Sequence, residues 1–343
     1  IIGETLSMQR YQKVSIIIVT YNSQKFIARC LDHIQKQRYK FYEVIVVDNA
    51  SHDRTTQILK KYLWVKPIYN LQNLGFSKAN NQGIQQSSGD FIFLLNPDVF
   101  LSPSTLSTLL HCIQSDPSLG FVSPKLLKPS RQKILDSTGI QATPERRFFD
   151  RGRGEIDHNQ YDRVTDIFAV CGAALLLIKK ALDDITLDKE YLDDHFFAYF
   201  EDVDLCWRMR LRGWQGGYCP NATAYHQRGH DLSRPDHFSL FSFLRRRFQE
   251  RKKDSVYRLI RRLSLRNSVW LLIKNDSLSE LLRQLFPFLF HWCRKFAYIL
   301  IVEPFVLREV PALIHGIPSM LKKRHIIQQR RTIHPASLRG FFR

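Results

Sequence analysis

Three polar clusters each follow a run of β-branched and aromatic residues. Thr20-Tyr21-Asn22 follows VSIIIV, Asp48-Asn49-Ala50-Ser51 follows VIVV, and Asn96-Pro97-Asp98 follows FIFLL. Such runs read as buried strands, and in an open α/β sheet ligands bind in the crevice outside the carboxyl ends of the strands. The three clusters are therefore expected to share one site. A carboxylate such as Asp48 at a strand end can accept the N3 proton of uracil or thymine, with Asn49 and Ser51 adding polar contacts to a nucleoside. The competing reading is a cap, because Ser51 and Asp53 precede a helix.

Asp98 offers oxygen to a divalent cation, which would neutralise a diphosphate and stabilise it as a leaving group. Its plainer reading is a turn acid after Pro97. Glu201, Asp202 and Asp204 open a helix that ends in Arg208, Arg210 and Arg212. Acids first and bases last complement the helix macrodipole, and one of these carboxylates would equally serve to take a proton from an attacking hydroxyl. His226 ends a strand, open either to structural hydrogen bonding or to a metal. The stretch from Asn73 to Gly83 is neither GxGxxG nor a Walker loop, which argues against dinucleotide and P-loop chemistry. It places Lys78, Asn80 and Asn81 on one helix near the crevice.

The elements that must position these residues alternate at βαβ lengths. Strands are expected at Val14–Thr20, Glu43–Asp48, Lys66–Asn70 and Phe91–Asn96, with helices over Lys25–Lys36, from Asp53 through Leu59, and over Phe76–Ser87. That pattern predicts an α/β fold with a mostly parallel, Rossmann-like sheet and helices on both faces. Beyond Asp98 come a helix at Ser104–Ser115, a strand near Phe121, a charged stretch from Thr143 to Asp162 read as a mobile or ligand-ordered loop, and a strand at Phe168–Ile178. A helix over Glu201–Arg212 and a strand ending at His226 follow.

The chain has 343 residues and a net charge of +19. Residues 237–343 hold 22 Lys and Arg against 6 Asp and Glu, whereas the first 236 carry a net of only +3. We therefore divide the chain into a leader at 1–13, a catalytic domain at 14–236 and a basic amphipathic helical, membrane-associating region at 237–343, whose charge implies an anionic partner. Arg245-Arg246-Arg247 and Arg251-Lys252-Lys253 supply much of that charge. From Leu281 to Leu321 the sequence is apolar but interrupted by prolines and by Arg294-Lys295, which predicts short helices lying in an interface. The run Phe296–Val302 falls far short of the roughly 20 residues that span a bilayer, so no spanning helix is expected. No signal peptide is seen ahead of the first strand. The six cysteines are scattered without CxxC or zinc spacing, which predicts a reduced, cytosolic chain.

Taken in order, VSIIIVTYNS, VIVVDNASHD, NLGFSKANNQG, GDFIFLLNPDV, CGAALLL, FFAYFEDVDLCWRMRLRGW and AYHQRG resemble the inverting family-2 glycosyltransferases of the GT-A fold, in particular the bacterial rhamnosyltransferase-like members. The resemblance covers roughly residues 14–230. It implies transfer of a sugar, with rhamnose among the candidates, from a dTDP- or UDP-sugar to a hydroxyl of a glycan or polyprenyl-linked acceptor in cell-surface polysaccharide synthesis. By that resemblance Thr20, Tyr21, Asn22, Asp48 and Asn49 line the nucleoside pocket, Asp98 holds Mg²⁺ or Mn²⁺ with His226 as second ligand, and Asp202 is the general base with Glu201 beside it. A peripheral place on the inner face of the cell membrane follows, with no nucleic acid as partner.

The sequence departs from the family's Asp-x-Asp, which is Asn96-Pro97-Asp98 here, so one carboxylate is left at that position. Arg146, Arg147, Arg151 and Arg153 are either a loop that closes over the diphosphate or a solvated charge run. Two other functions compete. A non-catalytic protein gripping nucleic acid through its basic tail would bind in a steeply salt-dependent way and release no sugar. A nucleotidyltransferase would want a Gly-rich loop where Tyr21-Asn22-Ser23-Gln24 stands.

Overall fold

The computed structural model describes residues 12–228 and 255–342. Nearly all of the leader, the 236/237 boundary and the basic clusters from Arg245 to Lys253 lie outside the described residues. The chain begins β1 (Val14–Thr20), α1 (Ile27–Gln35), β2 (Tyr42–Asp48), α2 (Thr55–Leu59), β3 (Val65–Tyr69), α3 (Phe76–Gln85) and β4 (Phe91–Leu95). It continues through β5 (Val99–Leu101), α4 (Thr105–Gln114), β6 (Leu119–Lys128), β7 (Arg131–Ser137), β8 (Ile140–Ala142), β9 (Phe148–Asp150), β10 (Ala174–Ile178), α5 (Lys179–Asp184), α6 (Glu201–Leu211) and β11 (Gln215–His226).

The main sheet runs in the order β3-β2-β1-β4-β10-β6-β11-β5, with β7 paired to β6. Strands β5, β7 and β10 run against the others. The chain therefore reverses its winding direction between β1 and β4, the switch point at which α/β sheets open a crevice. Alternation along each strand divides the core in two. Ile16, Ile18, Val44 and Val46 face α1 and α4, while Ile17, Val19, Ile45 and Val47 face α3 and the layer holding α5 and α6. Full burial of each such side chain contributes roughly 1.5–3 kcal/mol.

Three expectations are revised. Residues 143–162 are not a free loop, because Phe148–Asp150 pairs with Ile140–Ala142 as a two-stranded ribbon. The strand expected from Phe168 starts only at Ala174, the segment before it being used to turn toward the site. The cysteines do not all remain thiols: Cys112 on α4 and Cys219 on β11 form a disulfide with Cα atoms 6.4 Å apart, across 107 residues of sequence.

The C-terminal region folds as α7 (Ser255–Asn275), α8 (Leu278–Arg283), α9 (Leu285–Val302) and α10 (Val310–Arg330). Trp270 and Leu271 of α7 and Met320 and Ile327 of α10 belong to the same buried cluster as α3 and α6. Buried charges reinforce that contact. Lys274 Nζ lies 2.7 Å from Asp193 and 2.8 Å from Asp204, and Lys323 Nζ lies 2.6 Å from Asp193. Helix α9 is a single 18-residue element rather than a set of short pieces, since Pro287 sits in its first turn, where no intrahelical N–H bond is lost. Its length and composition would serve to cross a membrane, and most of it is exposed.

Candidate active site

The floor of the crevice is two loops zipped together. Asn22 N donates to Ser51 Oγ at 2.8 Å, His52 N to Asn22 Oδ1 at 2.9 Å, and Gln24 N to Asp53 Oδ2 at 3.0 Å. Asn22 takes a φ of +52° to make the turn. Asp53 also accepts from Thr55 N and Oγ1, so it acts as a cap. Asp48 is buried at the end of β2, paired in register with Thr20. It accepts from Thr20 Oγ1 at 2.8 Å, Ser51 Oγ at 2.6 Å and Ser51 N at 3.0 Å. Tyr21 stands half-exposed above this floor. Asn49 donates to Gly75 O and accepts from Asn70 Nδ2, tying the floor to the start of α3.

One short segment links the third and fourth clusters. Asn96 N donates to Ala173 O at 2.9 Å, and Gly172 N donates to Asp202 Oδ2 at 2.9 Å. The turn after β4 and the start of α6 thus flank the corner Gly172–Ala173. Val203 N gives Asp202 a second bond, to Oδ1, at 2.8 Å. Burial pushes the Asp202 carboxyl up to about 6, against the lowering effect of those two N–H donors and with help from the nearby Asp150 charge. Glu201 is more deeply buried. Burial first, then the Asp202 charge, pushes it well above the usual carboxylate range. At neutral pH Asp202 is therefore largely ionised, while Glu201 holds its proton more tightly than an ordinary carboxyl does.

Behind this corner runs a chain of charges. His226 Nδ1 lies 2.9 Å from Asp136 Oδ2, while Nε2 faces Asp98 Oδ1 at 3.5 Å. Arg228 donates to Asp136 Oδ1 at 2.7 Å and to Asp150 Oδ2 at 2.7 Å. Burial disfavours the imidazolium, but the hydrogen bonds and charges of Asp136 and Asp98 outweigh it and raise the His226 pKa to about 9. Between these two carboxylates the ring is held as an imidazolium with Asp136 fixing Nδ1, so a cation shared by Asp98 and Nε2 would have to displace the Nε2 proton. The donor set of Asp98 and His226, both buried or nearly so, fits a hard divalent ion.

Other expected residues lie apart from this corner or serve the scaffold. Lys78 is exposed on α3, where its charge faces Asp194. Asn81 holds the 191–194 segment through Leu192 O at 2.7 Å and Asp194 Oδ1 at 2.7 Å. Arg208 and Arg210 do more than complement a helix dipole, since Arg208 bonds Asp204, Ile185 O and Tyr191 O, and Arg210 bonds Asp166 and Ile167 O. Arg146 is buried against Asp276 at 2.7 Å, and Arg151 bonds Thr138 and Val164 O. Those two arginines are therefore structural, not free to close over a diphosphate. Glu190, Asp193 and His195 also cluster, but the ammonium groups of Lys323 and Lys274 occupy the carboxylate oxygens there. Sequence reasoning missed Asp136, Asp150, Arg228 and Gly172. Gly172 and Arg228 stand inside the quoted CGAALLL and AYHQRG without having been given a role, whereas Asp136 and Asp150 stand in no motif and only tertiary contacts bring them near the corner.

A family model described as "Glycosyl transferase family 2" matches residues 15–185. The N-acetylglucosaminyl-diphospho-decaprenol L-rhamnosyltransferase of Mycobacterium tuberculosis is 25% identical over 242 residues, covering 64% of this chain and 77% of that protein. Among solved structures, the mannosyltransferase PcManGT of Pyrobaculum calidifontis, in complex with GDP-Man and Mn²⁺, superposes with a TM-score of 0.52 at 16% identity over 90% of this chain and 76% of that one. S. aureus TarS 1-349 in complex with UDP-GlcNAc gives a TM-score of 0.52 at 18% identity, over 93% of this chain and 88% of that one. The superpositions carry the GT-A architecture, and the ordered motifs carry the family. The chain belongs to glycosyl transferase family 2, and it is a glycosyltransferase.

Proposed function

We propose that this enzyme moves a sugar, with inversion, from a dTDP- or UDP-sugar to a hydroxyl of a polyprenyl-linked glycan acceptor, in cell-surface polysaccharide synthesis at the inner face of the membrane. The observation that carries the reading is the Gly172–Ala173 corner, which sets Asp202 beside the Asn96–Asp98 turn. In this reading Thr20, Tyr21, Asn22, Asp48, Asn49 and Ser51 hold the nucleoside. Asp98 and His226 would hold Mg²⁺ or Mn²⁺, with Asp136 orienting the imidazole. When bound, the cation neutralises the diphosphate as it departs.

The ionised Asp202 carboxylate takes the proton of the acceptor hydroxyl as its oxygen forms a bond to the anomeric carbon. The bond from that carbon to the diphosphate breaks on the opposite face, and the electron pair leaves with the diphosphate. Glu201, whose burial holds its proton more tightly than usual, disfavours a second negative charge beside the base. Asp48 already accepts three donors, so it acts in this reading as a shaped acceptor wall with one lone-pair direction left for the base N3 proton.

The lipid-linked acceptor draws support from α9, whose Phe286, Leu289, Phe290, Phe296 and Leu300 are exposed, and from the decaprenol-linked substrate in the relative's name. A surface of that kind, flanked by the exposed Arg283 and Arg294, suits an anionic bilayer. A donor panel of dTDP-rhamnose, UDP-hexoses and GDP-mannose with Mn²⁺, on wild type and Asp202→Asn, tests the proposal. Transfer undiminished in the variant sinks the base assignment.

A further inference from the structure

Helix α7 reaches the segment that leads into Glu201 and Asp202. Asn267 is fully buried there, and its Nδ2 lies 2.8 Å from each of three backbone carbonyls, Phe196 O, Ala198 O and Tyr199 O. An amide NH₂ has two hydrogens, so these carbonyls share them. The segment is bent against the preference of its side chains: Phe197, Tyr199 and Phe200 have φ values of +62°, +73° and +70°. Bulky residues hold the left-handed region only where surrounding contacts over-determine it.

Those contacts come from two sides. The N–H groups of Phe76 and Ser77, at the start of α3, donate to Phe197 O. Gly75 allows this approach, because a Cβ there would meet Phe197 Cδ2 at 2.5 Å. From the other side come Asn267 and Arg266, the latter donating to His195 O and Phe196 O. Two turns further along α7, Lys274 and Asn275 donate to Asp204 at 2.8 Å each. Helix α7 thus grips α6 ahead of its first residue and again at Asp204.

We propose that Asn267 is a positioning residue for transfer, fixing the left-handed turn at Phe197–Phe200 so that Asp202 is aimed at the Gly172 N–H. The inference rests on the reading of Asp202 as base. Asn267 touches no reacting atom. Without its amide Ala198 O and Tyr199 O lose this donor and Phe196 O keeps only Arg266, so the turn relaxes and the first turn of α6 moves relative to Gly172. The charged and titratable groups around Asp202 are Glu201 and Cys206 on its own helix, Asp150 on β9, and Cys171, which also neighbours Arg228; Asp204 acts on Glu201. Their distances from Asp202 change with that motion, so the acid limb of the rate profile moves with it.

The test compares Asn267→Ala and Asn267→Asp with wild type in the full chain, measuring kcat against pH and UDP binding by calorimetry. The Asp variant keeps the shape and removes the donors. The expected result is a fall in kcat of about 100-fold in both, the scale of a misplaced reacting group. UDP affinity should stay within about twofold, and the acid limb should shift. Wild-type kcat in both variants would overturn the proposal. So would a parallel loss of kcat and UDP affinity, which would mark Asn267 as merely structural. Asp202→Asn run alongside separates the two readings: if it stays active the base assignment fails, and if it is inactive while Asn267→Ala is normal, the positioning role alone fails.

Discussion

The backbone N–H of Gly172 lies 2.9 Å from Asp202 Oδ2, and a Cβ on Gly172 would stand 3.3 Å from Asp202 Cβ. A strand lead-in and a helix start therefore meet with no side chain between them. The carboxylate is held by backbone alone, from Gly172 and Val203. Neither donor depends on a partner side chain's rotamer, which suits the role of base proposed for Asp202.

Asp202→Asn should lower kcat by roughly 100- to 10,000-fold with donor affinity retained. In wild type, kcat should fall about tenfold per pH unit below the Asp202 pKa of about 6 and level off above it. Stability carries the opposite sign. Asp202 binds its proton more tightly folded, at about 6, than at its ordinary 3.8, so its ionisation weakens the fold progressively through that window and fully above it. Melting curves should show the variant gaining on wild type as pH rises from about 4 to about 7.

Asp136 accepts from His226 Nδ1 through Oδ2 and from Arg228 Nε through Oδ1. Asp136→Asn should weaken Mn²⁺ binding about 10- to 100-fold, and His226→Ala at least as much. Calorimetric titration of Mn²⁺ in the presence of UDP reads this directly, and chelation should abolish transfer in wild type.

Lys274 is fully buried between Asp193 and Asp204. Lys274→Met removes one of two cations from each carboxylate, leaving Asp193 to Lys323 and Asp204 to Arg208, and should cost about 3 kcal/mol in urea unfolding, the low end for a broken buried pair. Lys322, exposed and 3.9 Å from Asp188, is the contrast: Lys322→Ala should change stability by no more than about 0.5 kcal/mol.

The Cys112–Cys219 disulfide closes 107 residues between α4 and β11. Under oxidising conditions Cys112→Ser should cost about 2–4 kcal/mol, and under reductant the variant and wild type should converge. Alkylation before cell lysis, read by mass spectrometry, shows in which state the pair exists in the cell.

On α9, Phe286 and Phe290 are 83% and 58% exposed. Replacing both with Glu should weaken co-sedimentation with anionic vesicles while leaving transfer to a short, water-soluble acceptor intact. Added salt should weaken wild-type binding further, through the flanking Lys and Arg.

The sequence by itself determined the α/β frame and the strand-end clusters. Alternating βαβ runs have few ways to pack, and the motifs that end them are local. Thr20, Asp48, Asn96 and Asp98 could be placed from spacing alone, because each is the last residue of a buried strand or lies within three residues of its end. Tertiary structure decided what lies beyond local range. Asp136 meets His226 across 90 residues, Gly172 meets Asp202 across 30, and Asn267 meets Tyr199 across 68. It also decided that α7, read from charge as part of a membrane-associating region, buries Lys274 and Asn267 against α6 and the segment that leads into it. A basic residue looks alike in sequence whether solvated or enclosed; only the carboxylates folded around Lys274 allow its charge to leave water.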